Sequence, residues 1–251
     1  MTGPKAVVLV HGAWHGAWCW APVLEPLGAE GIDVRVVELP GHGEDPGPLE
    51  DLHGDAARVR SALDAVGGPV VLVGHSYGGV VITEAGDHPA VDHLVYVAAF
   101  NLEAGESAMT AAAGLSEAGA IDHSGRPDVL ASLLVAEDGT STIDPAGART
   151  LFYEDCPPEV ADWAVARLGA QPMVTLTQEP AAVAWHGRRS TYAVCAEDNV
   201  VHPDLQRLLA KRADEVVEWP TGHFPFLSRP ELVVELVGSL ARGDGGGAAP
   251  G

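Results

Sequence analysis

Short apolar runs alternate with stretches of helical periodicity over most of the chain. Residues 5–10, 32–39, 70–73, 91–98, 191–195 and 214–219 read as strands. Residues 17–30 read as a helix, with Pro22 in its first turns and Gly31 closing it. Further helices are predicted over 52–66, after Gly78 up to Pro89, over 203–212 and over 230–240. Near-continuous apolar strands separated by helices predict an α/β fold, a mostly parallel central sheet with helices on both faces.

Residues 101–189 break this rhythm. They are rich in Ala and Gly, with amphipathic pieces near 128–135, 144–151 and 158–166 and a continuation through 175–185. This pattern predicts a mostly helical cap inserted over the strand ends, not a free-standing domain. The core is then 1–100 together with 190–242, and 243–251 is a disordered tail. Phe152, Tyr153, Trp163 and Trp185 are candidates either to line a pocket beneath the cap or to pack the cap on the core.

Composition narrows the functional classes. An apolar content of 47% is enough for a sizeable core. The 35 acids against 14 Lys and Arg give a formal charge of -21. That balance disfavours nucleic acid, whose phosphates need positive neutralisation, and disfavours anionic membranes. Cys19, Cys156 and Cys195 are scattered and odd in number, with neither a disulfide framework nor metal-ligand spacing. A reducing, cytoplasmic location is expected. There is no signal-peptide pattern, no apolar run long enough for a membrane span and no glycine fingerprint for a dinucleotide, so no cofactor and no metal are expected. A homodimer is left open.

Chemistry enters at residues 70–81, VVLVGHSYGGVV. An apolar strand runs into Gly74-His75-Ser76-Tyr77-Gly78, and an apolar helix follows. G-x-S-x-G in this setting is a nucleophile elbow, a sharp strand-to-helix turn with the serine at its tip. The pentapeptide alone arises by chance in a chain with 30 glycines, so the flanking strand and helix carry the argument.

A serine hydroxyl needs a base within hydrogen-bond reach, and the base needs an orienting partner. In chain order the set is Ser76, Asp198, His223. Asp198 follows a late strand, and His223 lies in the loop after the last one. Sites in open α/β sheets form beyond the carboxyl ends of the strands, which brings the three together. Among eleven histidines, His75 adjoins the serine but points away from the tip, and His11, His15 and His42 lie in early loops. Competing acids are Glu197 and Asp204; Asn101 follows an earlier strand but carries no charge. The attacked carbonyl oxygen needs backbone amides already facing it, and Ala13 and Tyr77 are the expected donors. His11, Trp14 and Phe224 are candidate pocket residues.

The segments VVLVHGAWHGAWCW (7–20), VVLVGHSYGGVV (70–81), YAVCAEDNVVHPDLQ (192–206) and GHFPFLSRPELV (222–233) give the chain its family look. The sequence resembles the α/β-hydrolase superfamily over nearly its whole length, and within it the esterase group of plant methylesterases, hydroxynitrile lyases and their bacterial relatives. The resemblance implies Ser76 as nucleophile, Asp198 as acid, His223 as base, and Ala13 and Tyr77 as oxyanion donors. It also implies a departure from the lyases, which carry a threonine where Gly12 stands and a lysine where Phe224 stands. Cyanohydrin cleavage is therefore not expected.

The expected function is serine hydrolysis of a small to medium, largely apolar carboxylic ester or lactone through an acyl-enzyme. The same groups would serve amide or carbon–carbon bond cleavage, acyl transfer or cyclisation. A non-enzymatic ligand receptor is the remaining reading.

Overall fold

The computed structural model describes residues 5–117 and 126–244. Six apolar runs form β1 (Ala6–Val10), β2 (Val34–Val37), β3 (Val70–His75), β4 (Val91–Val97), β8 (Arg189–Cys195) and β9 (Glu215–Trp219). They lie side by side in the order β2-β1-β3-β4-β8-β9, and every pairing is parallel. Every residue of β1 and β3 is buried, as their unbroken apolar character requires of central parallel strands.

Two helix groups cover the sheet. One pairs α2 (Leu52–Asp64) with α3 (Gly78–Ala85); the other packs α1 (Ala21–Ala29) against α8 (Pro225–Ser228) and α9 (Pro230–Arg242). Helix α2 is capped by Asp51, whose carboxylate accepts from Gly54 N at 3.0 Å. The predicted helix over 17–30 divides into a 3-10 turn, Ala17–Trp20, and α1. Pro22 has no N–H to continue a ladder from the preceding turn, so the α-helix begins around it. Helix α7 (Pro203–Ala210) packs against β8. Gly243 closes α9 with a left-handed φ of 80°; most of the expected tail, 245–251, lies outside the described residues.

Strands β4 and β8 are direct neighbours, so the intervening chain leaves and re-enters the sheet at one place. It carries α4 (Ala108–Glu117), β5 (Leu133–Val135), β6 (Thr140–Ile143), α5 (Pro145–Phe152), α6 (Pro158–Val165) and β7 (Gln171–Pro172). The pieces near 144–151 and 158–166 form α5 and α6, whereas the piece near 128–135 ends in β5, and β5, β6 and β7 form an antiparallel sheet that the apolar pattern does not predict. Strands of two to four residues are too short for a period to show. The hairpin between β5 and β6 turns at Asp138-Gly139, with Gly139 at φ 82°, a dipeptide that signals such a turn. No helix among the described residues is long and apolar enough to cross a membrane.

Candidate active site

The turn between β3 and α3 places Ser76 in a left-handed backbone, φ 53°. A non-glycine residue held there stores strain of about 1–3 kcal/mol, and the surroundings must over-determine it. They do so through main-chain hydrogen bonds: Ser76 N donates to Val97 O at 3.2 Å, and Ser76 O accepts from Gly79 N at 3.0 Å and Phe100 N at 3.3 Å. The flanking glycines are required by space. A Cβ on Gly74 would lie 2.5 Å from Gly78 O, and one on Gly78 would lie 2.6 Å from His11 O.

The loops after β8 and β9 are tied together by Glu197 N donating to Thr221 O at 3.0 Å. This brings His223 Nδ1 to 2.7 Å from Asp198 Oδ2, both side chains buried. Asp198 Oδ1 accepts from Val200 N at 2.7 Å and Val201 N at 3.1 Å. Gln206 Nε2 donates to Asp198 Oδ2 at 2.7 Å. Four donors thus surround a fully buried carboxyl group, which a buried charge demands. The competing acids lie elsewhere: Glu197 is exposed and Asp204 pairs with Arg207 at 2.7 Å. Buried Asn101 donates to Leu209 O at 3.1 Å, a packing role. Gln206 escapes the sequence reading; its only signal is a polar residue set between Leu205 and Leu209 of α7.

The loop after β1 is built by its histidines. His11 Nδ1 donates to Gly12 O at 2.9 Å, and its Nε2 accepts from Leu39 N at 3.2 Å. His15 Nδ1 donates to Ala13 O at 2.7 Å, and its Nε2 accepts from the Tyr153 hydroxyl at 2.6 Å. Each ring is therefore used as a neutral tautomer, and burial pulls both pKa values down to about 3. Among the described residues no acceptor is bonded to the N–H of Ala13 or of Tyr77. The Tyr77 side chain turns into the core, where its hydroxyl donates to Asp55 Oδ2 at 2.6 Å.

Ser76, Tyr77, Ala13, Trp14 and Asp198 border a cavity of about 600 Å³. Its walls are mainly apolar, with Phe100, Met109, Leu130 and Leu176 among them, and Arg126 brings a guanidinium to them. Arg126 Nη1 donates to Asp198 O at 2.6 Å. Of the three expected pocket residues, only Trp14 lines this cavity. His11 is fully buried because both ring nitrogens serve the main chain. Phe224 is buried behind His223, stacked on His15 at 4.3 Å and tilted against His75 at 4.5 Å. Phe152, Tyr153, Trp163 and Trp185 do not line the large cavity either. Phe152 stacks on Trp14 at 6.1 Å, Trp163 meets Trp18 edge-on at 5.1 Å, and Trp185 Nε1 donates to Leu102 O at 3.0 Å.

The profile of the alpha/beta hydrolase family matches residues 7–236. The alpha/beta hydrolase nvfD of Aspergillus novofumigatus is 31% identical, with 94% of this chain and 96% of that protein covered. Methyl jasmonate esterase 1 of Vitis vinifera is 27% identical over 89% of this chain and 91% of its own. The crystal structure of a pyrethroid hydrolase from Sphingobium faniae JZ-2 superposes with a TM-score of 0.80 at 25% identity, covering 96% of this chain and 98% of that one. With the elbow after β3 and the family match over nearly the whole chain, this protein belongs to the alpha/beta hydrolase family.

Proposed function

We propose that this protein is a carboxylic ester hydrolase that works through a serine acyl-enzyme. The observation that carries the reading is the Asp198–His223 pair at 2.7 Å, with Asp198 and the strained elbow serine both bordering an apolar cavity that also meets Ala13 and Tyr77. The likeness to an enzyme named methyl jasmonate esterase and to a pyrethroid hydrolase supports ester cleavage over other acyl chemistry.

In this mechanism His223 Nε2 takes the Ser76 proton as Oγ attacks the ester carbonyl. The N–H groups of Ala13 and Tyr77 receive the developing oxyanion. His223, now cationic, passes the proton to the leaving alcohol and then activates water against the acyl-enzyme. Asp198 fixes the imidazole tautomer and offsets its charge. The described parts of the segment between β4 and β8 act as a cap over the cavity. Its size and walls favour a medium, largely apolar ester or lactone. The free state of all three cysteines supports a reducing, cytoplasmic setting.

The test is turnover of a p-nitrophenyl ester series by the wild type, Ser76→Ala and His223→Ala. Loss of about 10³-fold or more in kcat is expected for each variant. Equal rates in wild type and Ser76→Ala would reject the reading.

A further inference from the structure

The oxyanion loop is held from the inserted segment as well as from the core. Trp14, directly after Ala13, has φ 62°, a left-handed backbone that a bulky residue keeps only under restraint. The restraints come from beyond β4. Gly169 N donates to Trp14 O at 2.8 Å. Trp14 N donates to Gln171 Oε1 at 3.4 Å, and the indole Nε1 donates to Ser141 Oγ at 3.1 Å. Ser141 Oγ in turn donates to Gln171 O at 3.1 Å.

The Gln171 amide cannot turn over. Its Nε2 donates to Thr175 Oγ1 at 2.8 Å, whose own proton goes to Pro172 O at 2.7 Å, and its Oε1 lies 2.8 Å from His42 Nε2. Gln171, Ser141 and Thr175 are all buried. The Ala13–Trp14 peptide is consequently pinned at both ends, its carbonyl by His15 and its N–H by Gln171. The preceding peptide, which carries the Ala13 N–H, is pinned only through Gly12 O and His11. Its direction is completed by the residue that follows.

We propose that Gln171 and Ser141 are positioning residues for the reaction: through Trp14 they aim the Ala13 amide at the oxygen of the tetrahedral intermediate. The segment between β4 and β8 then sets turnover as well as substrate fit. This rests on Ala13 serving as an oxyanion donor, as in the proposed mechanism. A role confined to packing would leave ground-state and transition-state binding equally affected; a role in aiming a donor acts on the transition state alone.

The experiment compares Gln171→Met, Gln171→Glu and Ser141→Ala with wild type in p-nitrophenyl ester kinetics and in affinity for an aryl boronic acid, which forms a tetrahedral adduct on the serine. Gln171→Met should lower kcat by about 10- to 100-fold with KM within about 3-fold. Boronate affinity should fall in parallel with kcat/KM. Gln171→Glu keeps an acceptor for Trp14 N and should lose less kcat than Gln171→Met. If Gln171→Met does not fold, Ser141→Ala, which removes the indole bond and the bond to Gln171 O, carries the test with an expected loss of about 3- to 10-fold in kcat. Unchanged kcat in folded Gln171→Met and Ser141→Ala, or a rise in KM at constant kcat, overturns the proposal. Ser76→Ala separates the two readings: turnover surviving in that variant defeats the esterase mechanism itself, whereas its loss beside an unaltered Gln171→Met defeats only this inference.

Discussion

His75 Nε2 donates to the main-chain carbonyl of His223 at 2.8 Å, so the residue before the elbow serine holds the backbone of the loop that carries the proposed base. The two rings lie 4.6 Å apart. Burial, with the nearness of His223 second, keeps the His75 pKa well below the ordinary histidine value. Replacing His75 by Ala should lower kcat by about 10-fold, because the base is less well placed. Leaving the His223 carbonyl buried without a donor should cost about 1–3 kcal/mol of stability. With its pKa held below the ordinary histidine value, His75 adds no limb of its own above pH 6.5, so the pH profile from there to 9 should keep its shape. A displaced limb in that profile would contradict this role.

Asp55 is a buried carboxyl group whose Oδ2 accepts from Tyr77 and whose Oδ1 has no partner. Burial raises its pKa from 3.8 to about 7, against the smaller opposing effect of the Tyr77 hydrogen bond. The folded state therefore holds a proton that the unfolded state has released. Its contribution to stability is full below the unfolded value and is lost as pH rises through about 7. Asp55→Asn keeps an acceptor for Tyr77 and removes the ionisation. Its melting temperature relative to wild type should rise between pH 5 and pH 8. A constant difference across that range would show that Asp55 does not ionise on this path.

The Asp198–His223 pair predicts a steep cost for Asp198→Asn. An amide leaves the shape intact but no longer selects the imidazole tautomer or offsets its charge, and kcat should fall by about 10³- to 10⁴-fold. Gln206→Leu removes one of the donors to the same oxygen and should cost about 10-fold, since the carboxyl keeps its remaining partners. Fluorophosphonate labelling rates at Ser76 should follow the same order. Equal labelling of wild type and Asp198→Asn would remove Asp198 from the mechanism.

Gly78→Ala tests the elbow itself. The new Cβ would sit 2.6 Å from His11 O and 2.7 Å from Val10 O, main-chain atoms that cannot move aside without shifting the end of β1. Overpacking of this kind costs about 1–3 kcal/mol or more, read as a melting temperature several degrees lower. Gly68→Ala, where nothing lies within 4 Å of the added carbon, is the control and should change little.

The parallel sheet is legible in the sequence because its strands are buried on both faces and so read as unbroken apolar runs. Strand ends drift by a few residues where polarity changes gradually, as at β2, expected over 32–39 and found at Val34–Val37. Ser76, Asp198 and His223 stand out as candidates in the sequence because each lies in the loop after a recognisable strand. Gln206, Gln171 and Asp55 are not. Each is a polar residue whose role comes from burial beside one particular partner, and spacing along a single chain does not reveal that partner. His11 and Phe224 show the converse. Their motif positions suggest a pocket wall, but hydrogen bonding of the one and aromatic packing of the other turn both inward. The small sheet in the inserted segment goes unseen because its strands are shorter than any pattern that could announce them.

Strands β4 and β8 pair in register, His93 opposite Arg189 through Val97 opposite Ala193, although a long excursion separates them in the chain. An excursion that starts and finishes at one seam can lengthen, shorten or be replaced during descent without disturbing the order of the core strands, and the entropy of closing it grows only slowly with length. The hydrogen bonds that join Trp14 to Gly169, Gln171 and Ser141 attach a condition to that freedom. A lineage that exchanges this segment inherits new restraints on the first loop along with new cavity walls. Selectivity and speed are then not independent traits: a change in what the enzyme accepts arrives with a change in how fast it works, and later substitutions must tune the two together.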